Sequence, residues 1–137
     1  MPGILIDSNV LLDIFTEDRG WFGWSSEALA TAAQTSLTII NPIIYAEISV
    51  RFTRADELDD LLSRSVITRE PISYEAAFLA GKAHMAYRRL KGTKHVPLPD
   101  FFIGAHAAVA GHSVLTRDPA RYRSYFPNVR LIAPERT

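Results

Sequence analysis

Five short apolar segments, separated by longer segments of helical character, constrain the fold of this chain more than any other feature. Their length and their β-branched residues indicate strands at Gly3–Ile6, Leu37–Ile40, Val66–Arg69, Ser113–Leu115 and Val129–Ile132. Strands that alternate with helices usually form a parallel sheet with helices on both faces. The sequence therefore predicts an α/β protein with three layers and a central, mostly parallel sheet.

The intervening helices have recognisable start and stop signals. Asn41 and Pro42 are a cap and a first-turn proline, and the helix they begin is predicted to run to about Phe52. Ser73 caps a long helix that ends near Leu90. The other predicted helices are Asn9–Phe15, Ser26–Gln34 after the aromatic segment Trp21–Trp24, Ala55–Ser63, and two that begin at Pro99–Asp100 and Asp118–Pro119.

Composition narrows the class of protein. A length of 137 residues with 47% hydrophobic residues predicts one domain, residues 1–137. Basic and acidic residues balance at 15 each, which argues against non-specific coating of nucleic acid but not against local cutting. The absence of cysteine excludes disulfides and thiolate metal sites. No signal peptide or membrane span is recognisable, so we expect a cytoplasmic protein without membrane contact.

Four acidic residues occur beside sequence that should be buried. Asp7 directly follows the first strand and Asp118 follows the fourth, so both should lie at one edge of the sheet. Asp100 begins an apolar helix, and Glu47 lies within another. A buried carboxylate is costly unless a partner offsets its charge. The remaining acids are interpreted as surface charges, among them Asp56, Glu57, Asp59, Asp60 and Glu70.

A shared divalent cation would satisfy all four acids. Within the local sequence, only Asp118 and Glu47 have basic neighbours, Arg117 and Arg51. Helix capping or the helix dipole is an ordinary alternative for three of the acids, but capping fails for Glu47 in mid-helix. Magnesium and manganese favour oxygen ligands. The pattern therefore predicts a Mg or Mn site.

Four segments of the chain resemble the PIN-domain ribonucleases, specifically the VapC-type toxins of type II toxin–antitoxin systems. They are Ile4–Leu12, Asn41–Glu47, Leu98–Ala107 and Leu115–Pro119, in family order across nearly the whole chain. The resemblance implies a Rossmann-like three-layer α/β/α PIN domain and a Mg- or Mn-dependent endoribonuclease. It also implies a homodimer and a cognate antitoxin protein that blocks the acidic site.

The same resemblance assigns roles to individual residues. Asp7, Glu47, Asp100 and Asp118 would be both the metal ligands and the catalytic residues, and Ser8, Asn9 and Thr116 the polar residues that support them. His106 stands where the family often has a small hydroxyl residue, a departure that concerns local packing or substrate contact.

An RNA substrate requires basic groups near the acids. The most basic stretch is Tyr87–His95, and a second patch contains Arg117, Arg121, Tyr122 and Arg123. A solvated helix end explains the first stretch equally well. The candidate RNA-binding residues are Arg88, Arg89, Lys91, Lys94 and Arg117.

Competing functions differ in testable ways. A phosphoacceptor receiver domain and an aspartyl phosphatase fit poorly, because the required lysine and the second acid after the first strand are missing. A catalytically silent PIN-like interaction module and a structure-specific DNA nuclease remain as alternatives. Metal-dependent cleavage of RNA, compared in Asp7→Asn and Asp100→Asn variants, separates these alternatives from a ribonuclease.

Overall fold

A parallel sheet forms the centre of the molecule. The computed structural model describes residues 2–90 and 96–135, and within these ranges the sheet has strand order β3-β2-β1-β4-β5. Every neighbouring pair is parallel. The strands are β1 (Ile4–Ile6), β2 (Thr38–Ile40), β3 (Ile67–Arg69), β4 (Ser113–Leu115) and β5 (Leu131–Ile132). The predicted α/β fold with a parallel sheet is confirmed.

Helices connect the strands, as right-handed parallel crossovers require. In the described residues they are α1 (Ser8–Phe15), α2 (Phe22–Thr35), α3 (Pro42–Ser49), α4 (Ala55–Ser63), α5 (Tyr74–Leu90), α6 (Leu98–Ala110) and α7 (Ala120–Arg123). The two predicted caps are present: Asn41 Oδ1 accepts from the Ile44 amide at 2.9 Å, and Ser73 Oγ accepts from the Ala76 amide at 3.1 Å. No helix among these residues is long and apolar enough to cross a membrane.

Two predicted helix boundaries were wrong. Helix α2 begins four residues earlier than Ser26, because Asp18 Oδ2 accepts from the Gly20 and Trp21 amides and organises the turn before it. The aromatic segment Trp21–Trp24 therefore lies at the start of α2. Helix α3 ends at Ser49 instead of Phe52.

The central strand carries the core. Leu5 and Ile6 of β1 are fully buried, and side chains from both faces of the sheet pack around them. A second apolar cluster lies between α5, α6 and the segment after α7, with Phe101 and Phe126 at its centre. Gly104 permits this contact, since a Cβ there would overlap the Phe126 ring. The cluster fixes α6 in position, and α6 begins with Asp100.

Strand register brings distant parts of the chain to one edge of the sheet. Ile6 of β1 pairs with Leu115 of β4, and the Asp7 amide donates to the Leu115 carbonyl at 2.9 Å. Residues that follow β1 and β4 therefore emerge side by side. The carboxyl ends of parallel strands are where α/β proteins usually bind ligands.

Candidate functional site

Asp7 lies at the carboxyl end of β1 and is 1% exposed. Its Oδ2 accepts hydrogen bonds from the Thr116 hydroxyl at 2.9 Å and from the Tyr122 phenol at 2.7 Å. Its Oδ1 lies 3.5 Å from the Ser8 hydroxyl, a long contact. Burial raises the pKa of Asp7, and the two hydrogen bonds limit that rise. The protein therefore holds one oxygen and leaves the other available to a ligand.

Glu47 faces Asp7 from α3. Its Oε1 accepts from the Ser8 hydroxyl at 2.9 Å, so Ser8 lies between the two acids. Burial raises the pKa of Glu47, and the nearby charge of Asp7 adds to the effect. The ion pairs of the described residues do not include Glu47 with Arg51, so the ordinary local pair considered from the sequence is not formed.

Asp100 is a buried acid at the start of α6. It lies in the first turn of α6 with 1% of its surface exposed, and its Oδ2 has no hydrogen-bond partner. Burial raises the pKa of Asp100 to about 7, and the charges of the other three acids push it in the same direction. Helix α6 has no side-chain cap, so Asp100 does not act as a capping residue. A buried carboxylate oxygen without a donor requires a partner.

Asp118 and Asp100 share a contact with one arginine. Arg121 Nε lies 2.7 Å from Asp118 Oδ2, one turn earlier on the chain. Arg121 Nη1 lies 3.6 Å from Asp100 Oδ2, which is an ion-pair distance but too long for a hydrogen bond. The side chain of Asp118 is 44% exposed, so this acid forms the open side of the site.

The four acids converge but do not form a closed cage. Asp100 interacts electrostatically with Asp7, Glu47 and Asp118, which shows that all four lie in one region. Within the described residues, however, no three of these acids have ligand oxygens within 4.8 Å of one another. The arrangement is therefore looser than an ion-bound site, and Arg121 occupies part of the space between the acids.

The polar residues predicted to support the acids form a connected network. The Asn9 amide donates to Thr116 Oγ1 at 3.3 Å, and the Asp118 backbone amide donates to the same oxygen at 3.0 Å. Thr116 in turn donates to Asp7, and Ser8 connects Asp7 with Glu47. The network links the β1 end to the β4 end of the sheet.

The candidate RNA-binding residues of the most basic stretch fall into two groups, exposed residues and residues outside the described part of the chain. Arg88 and Arg89 are exposed at the end of α5, and in the described part of the chain neither is ion-paired with an acid. Lys91 and Lys94 lie outside the described residues, together with the rest of the basic stretch up to His95.

Arg117 already has partners. Its Nε lies 2.9 Å from Oδ2 of the buried Asp13, and its guanidinium stacks over the Trp21 ring with a 5.2 Å separation from the centroid. Asp13 also accepts from the Ser25 hydroxyl at 2.8 Å. These contacts give Arg117 a role in joining α1, α2 and the β4 end.

Sequence reasoning missed three contributors to the site region. Tyr122 and Arg121 were predicted only as members of a candidate RNA-contacting patch, whereas Tyr122 is fully buried on Asp7 and Arg121 lies among the acids. The spacing of Asp118 and Arg121 was a usable signal, because residues three apart on a helix can pair. Asp13 was overlooked although, like Glu47, it is an acid within an apolar helix.

Glu70 was predicted to be a surface charge, and this was wrong. It ends up half-buried because β3 delivers it to two buried histidines. Its Oε1 lies 2.8 Å from His106 Nε2 and 2.7 Å from His112 Nε2. Burial raises the pKa of Glu70, but the two histidine contacts outweigh it and the net pKa is lowered.

These three side chains are close enough to hold a metal ion, yet their hydrogen bonds oppose it. His112 Nδ1 accepts from the Gly3 backbone amide at 2.8 Å. His106 Nδ1 faces the amide nitrogen of Asn41, whose oxygen is occupied by a helix amide. Both Nδ1 atoms are thus acceptors, so both Nε2 atoms carry protons and donate to Glu70. The cluster is a structural hydrogen-bond network.

Comparison with known proteins identifies the class of this chain. Residues 4–126 match the family model described as the PIN domain. The chain therefore belongs to the PIN domain family, and the family predicted from the sequence is confirmed. No curated protein sequence matches it significantly.

Solved structures with the same fold come from bacterial toxin–antitoxin complexes. A chain of VapBC2 from Rickettsia felis, bound to a promoter DNA fragment, superposes with a TM-score of 0.72 at 16% identity, covering 96% of this chain and 98% of its own. A chain of a Klebsiella pneumoniae toxin–antitoxin complex gives 0.70 at 22% identity, covering 98% and 100%. DNA-bound VapBC from Salmonella typhimurium gives 0.66 at 19% identity, covering 97% and 98%. At these identities the likeness establishes the fold.

Proposed function

We propose that this chain, as one domain of residues 1–137, is a Mg- or Mn-dependent endoribonuclease and the toxin of a toxin–antitoxin pair. One observation carries the catalytic part of the proposal. Asp100 is a buried acid with an oxygen that lacks any donor, and it faces three further carboxylates. Two of the four acids, Asp7 and Asp100, are buried, and a concentration of carboxylates around buried acids is typical of functional sites.

The donor set fits a hard divalent cation. Asp7, Glu47, Asp100 and Asp118 offer only carboxylate oxygens, which magnesium and manganese prefer to softer ligands. Oδ1 of Asp7, with its long 3.5 Å contact to Ser8, and Oδ2 of Asp100, with no hydrogen-bond partner, can both take a ligand. When bound, the cation supplies Lewis-acid chemistry, polarising a phosphate and making water a better nucleophile.

The chain's own residues prepare the site for this chemistry. Thr116 and Tyr122 fix the orientation of Asp7 from one side, so that its other oxygen points away from them. Ser8 fixes Glu47 relative to Asp7. Such fixed orientation lowers the reorganisation required during reaction. The open side at Asp118 leaves room for a polymer substrate.

The test is cleavage of a single-stranded RNA by the purified chain. We expect cleavage with Mn²⁺ or Mg²⁺, loss of it with EDTA, and at least about 100-fold slower cleavage by Asp7→Asn and Asp100→Asn. Asp56→Asn is the matched control, because Asp56 is an exposed acid that pairs with Arg54 at 2.7 Å on α4. Its cleavage rate should equal that of the parent.

Three results would contradict the proposal. Equal cleavage by the parent and the Asp7→Asn variant indicates contamination. Cleavage of a DNA flap in preference to RNA indicates a structure-specific DNA nuclease. Absence of both activities, with metal bound, indicates a silent interaction module. Mapping of the cut ends in cellular RNA after brief expression then identifies the target.

The toxin part of the proposal rests on the fold relatives and on an exposed apolar face. The similar structures described above are toxin–antitoxin complexes, and this chain superposes over nearly the whole length of one chain of each. Helix α5 exposes large apolar side chains that a partner would cover: Tyr74, Phe78, Met85 and Leu90. A homodimer and an antitoxin are the two partners we propose.

Both partners can be tested together. The product of the neighbouring gene, when coexpressed, should copurify with the chain and suppress RNA cleavage. Sedimentation of the chain alone should give the mass of a dimer. A monomer that cleaves RNA would contradict the homodimer alone, and unchanged cleavage with the neighbour present would contradict the antitoxin.

A further inference from the structure

Arg121 is the basic side chain most closely coupled to the acidic site. Among the described residues, it is the one cation whose charge lowers the pKa values of Asp7, Glu47 and Asp100. It contacts Asp100 and Asp118 directly. Burial lowers the pKa of Arg121, but the charges of Asp100, Asp118 and Asp7 outweigh it and the net pKa is raised. A guanidinium therefore lies where the proposed function needs a metal ion.

The two carboxylate contacts of Arg121 differ in length. Its contact with Asp118 is short, at 2.7 Å, but that with Asp100 is 3.6 Å and leaves Asp100 Oδ2 without a hydrogen bond. The Arg121 side chain is 39% exposed, so it can turn toward solvent with little change in the core. Arg121 carries one charge and makes one long contact, so a doubly charged cation can displace it from Asp100 and Asp118.

The charge balance explains what would replace it. Four carboxylates against one guanidinium leave an excess of negative charge at the site, and a divalent cation on Asp100 and Asp118 would remove both contacts of Arg121. The guanidinium would then sit at the open side of the site. Its planar fork of donors matches the oxygens of a phosphate group.

We propose that Arg121 is the resident counter-ion of the carboxylate site and becomes an RNA phosphate ligand once a divalent cation takes its place on Asp100 and Asp118. This inference rests on the proposed ribonuclease function. It goes beyond that function by assigning substrate binding to a residue that the free chain keeps bound to its own acids. In the free chain, Arg121 competes with the metal; in the loaded chain, it helps to position the substrate.

Metal affinity is the first readout and requires no activity. We would titrate the metal-free parent, Arg121→Gln and Arg121→Lys with Mn²⁺ and measure free Mn²⁺ by electron paramagnetic resonance. Because a competing charge is removed, Arg121→Gln should bind Mn²⁺ about tenfold more tightly than the parent. Arg121→Lys keeps the charge, and its affinity should stay closer to that of the parent.

The matched control breaks an equivalent ion pair elsewhere. Arg64 pairs with Asp60 at 2.6 Å, and it follows α4 just before β3, at the opposite edge of the sheet. Arg64→Gln therefore removes an arginine–aspartate contact of similar length without touching the acidic site. Its Mn²⁺ affinity and RNA cleavage should equal those of the parent.

Substrate binding is the second readout, measured at saturating Mn²⁺. Loss of a phosphate ligand that acts on bound RNA before and during reaction should raise KM about tenfold and leave kcat within about twofold. The slope of log KM against log salt should decrease by about 0.7, the value for one lost phosphate contact on a single strand. Arg121→Lys should retain the parent salt slope.

The outcomes separate this inference from the proposed function. If the parent binds no Mn²⁺, or binds it equally after Asp7→Asn, the proposed metal site itself fails. If the parent binds Mn²⁺ and cleaves RNA but Arg121→Gln leaves the Mn²⁺ affinity unchanged, the counter-ion role is refuted. Tighter Mn²⁺ binding with unchanged KM and salt slope refutes the phosphate role and leaves Arg121 a competitor of the metal only.

Discussion

Asp100 makes the stability of the metal-free chain depend on pH, and Asp100→Asn should remove this dependence. The pKa of Asp100 is about 7 in the folded chain, against an ordinary value of 3.8. Between these two values the folded state keeps a proton that the unfolded state has released. Stability therefore falls as the pH rises through this window, and above it the full cost of the buried charge is present.

The size of the effect follows from the pKa. One pKa unit corresponds to about 1.4 kcal/mol. Between pH 5 and pH 8 the carboxyl of Asp100 is ionised in the unfolded chain. In the folded chain it stays protonated over about two units of that range, so the free energy of unfolding of the parent falls by about 2–3 kcal/mol. An asparagine side chain does not titrate, and any constant cost of its amide cancels when two pH values are compared.

The assay is urea denaturation in EDTA, followed by the fluorescence of Trp21 and Trp24. The free energy of unfolding of Asp100→Asn minus that of the parent should be about 2–3 kcal/mol larger at pH 8 than at pH 5, so the variant gains stability relative to the parent. Asp56→Asn is the control and should follow the parent at both values, because Asp56 is exposed. A difference between parent and Asp100→Asn that is the same at both pH values would refute the reasoning, since the buried carboxyl would then have no perturbed pKa.

Three further substitutions test the surroundings of the site by urea denaturation at pH 8. Tyr122→Phe removes the 2.7 Å donor to Asp7 and should cost about 1.5–3 kcal/mol, the range for a hydrogen bond to a charged group; an unchanged midpoint would mean that Asp7 does not depend on this phenol. Gly104→Ala places a methyl group against the Phe126 ring and should cost about 1–3 kcal/mol, whereas stabilisation would show that α6 can shift away. Glu70→Ala leaves two buried histidine donors without an acceptor and should cost about 2–5 kcal/mol, while Glu70→Gln, which keeps the acceptor oxygen, should cost less than half as much.

The fold could be predicted from the sequence because its signals are local. Apolar runs, capping residues and prolines lie within a few positions of the elements that they begin, as Asn41 and Ser73 illustrate. The early start of α2 escaped prediction because it depends on Asp18, a residue that reads as an ordinary surface acid.

Proximity of Asp7 and Asp118 followed from topology, and that of Glu47 and Asp100 from the family resemblance, but the partners of these acids did not follow from either. Because parallel strands end at one edge, residues after β1 and β4 had to meet there. The apolar sequence around these acids predicted that they are buried and need a partner. The same logic failed for Glu70, where the end of β3 delivers an acid to histidines of α6 and of the turn that follows it.

The sequence by itself determined the layered fold, the family and the position of Asp7 and Asp118 at one edge of the sheet. The tertiary structure decided which groups contact those acids: Tyr122 bonds to a residue 115 positions away, and Arg121 enters the space between Asp100 and Asp118. The physical reason is the sequence distance over which each interaction acts. Apolar periodicity and helix caps act between near neighbours, whereas hydrogen bonds and ion pairs at the site depend on how β1, β4, α6 and α7 pack together.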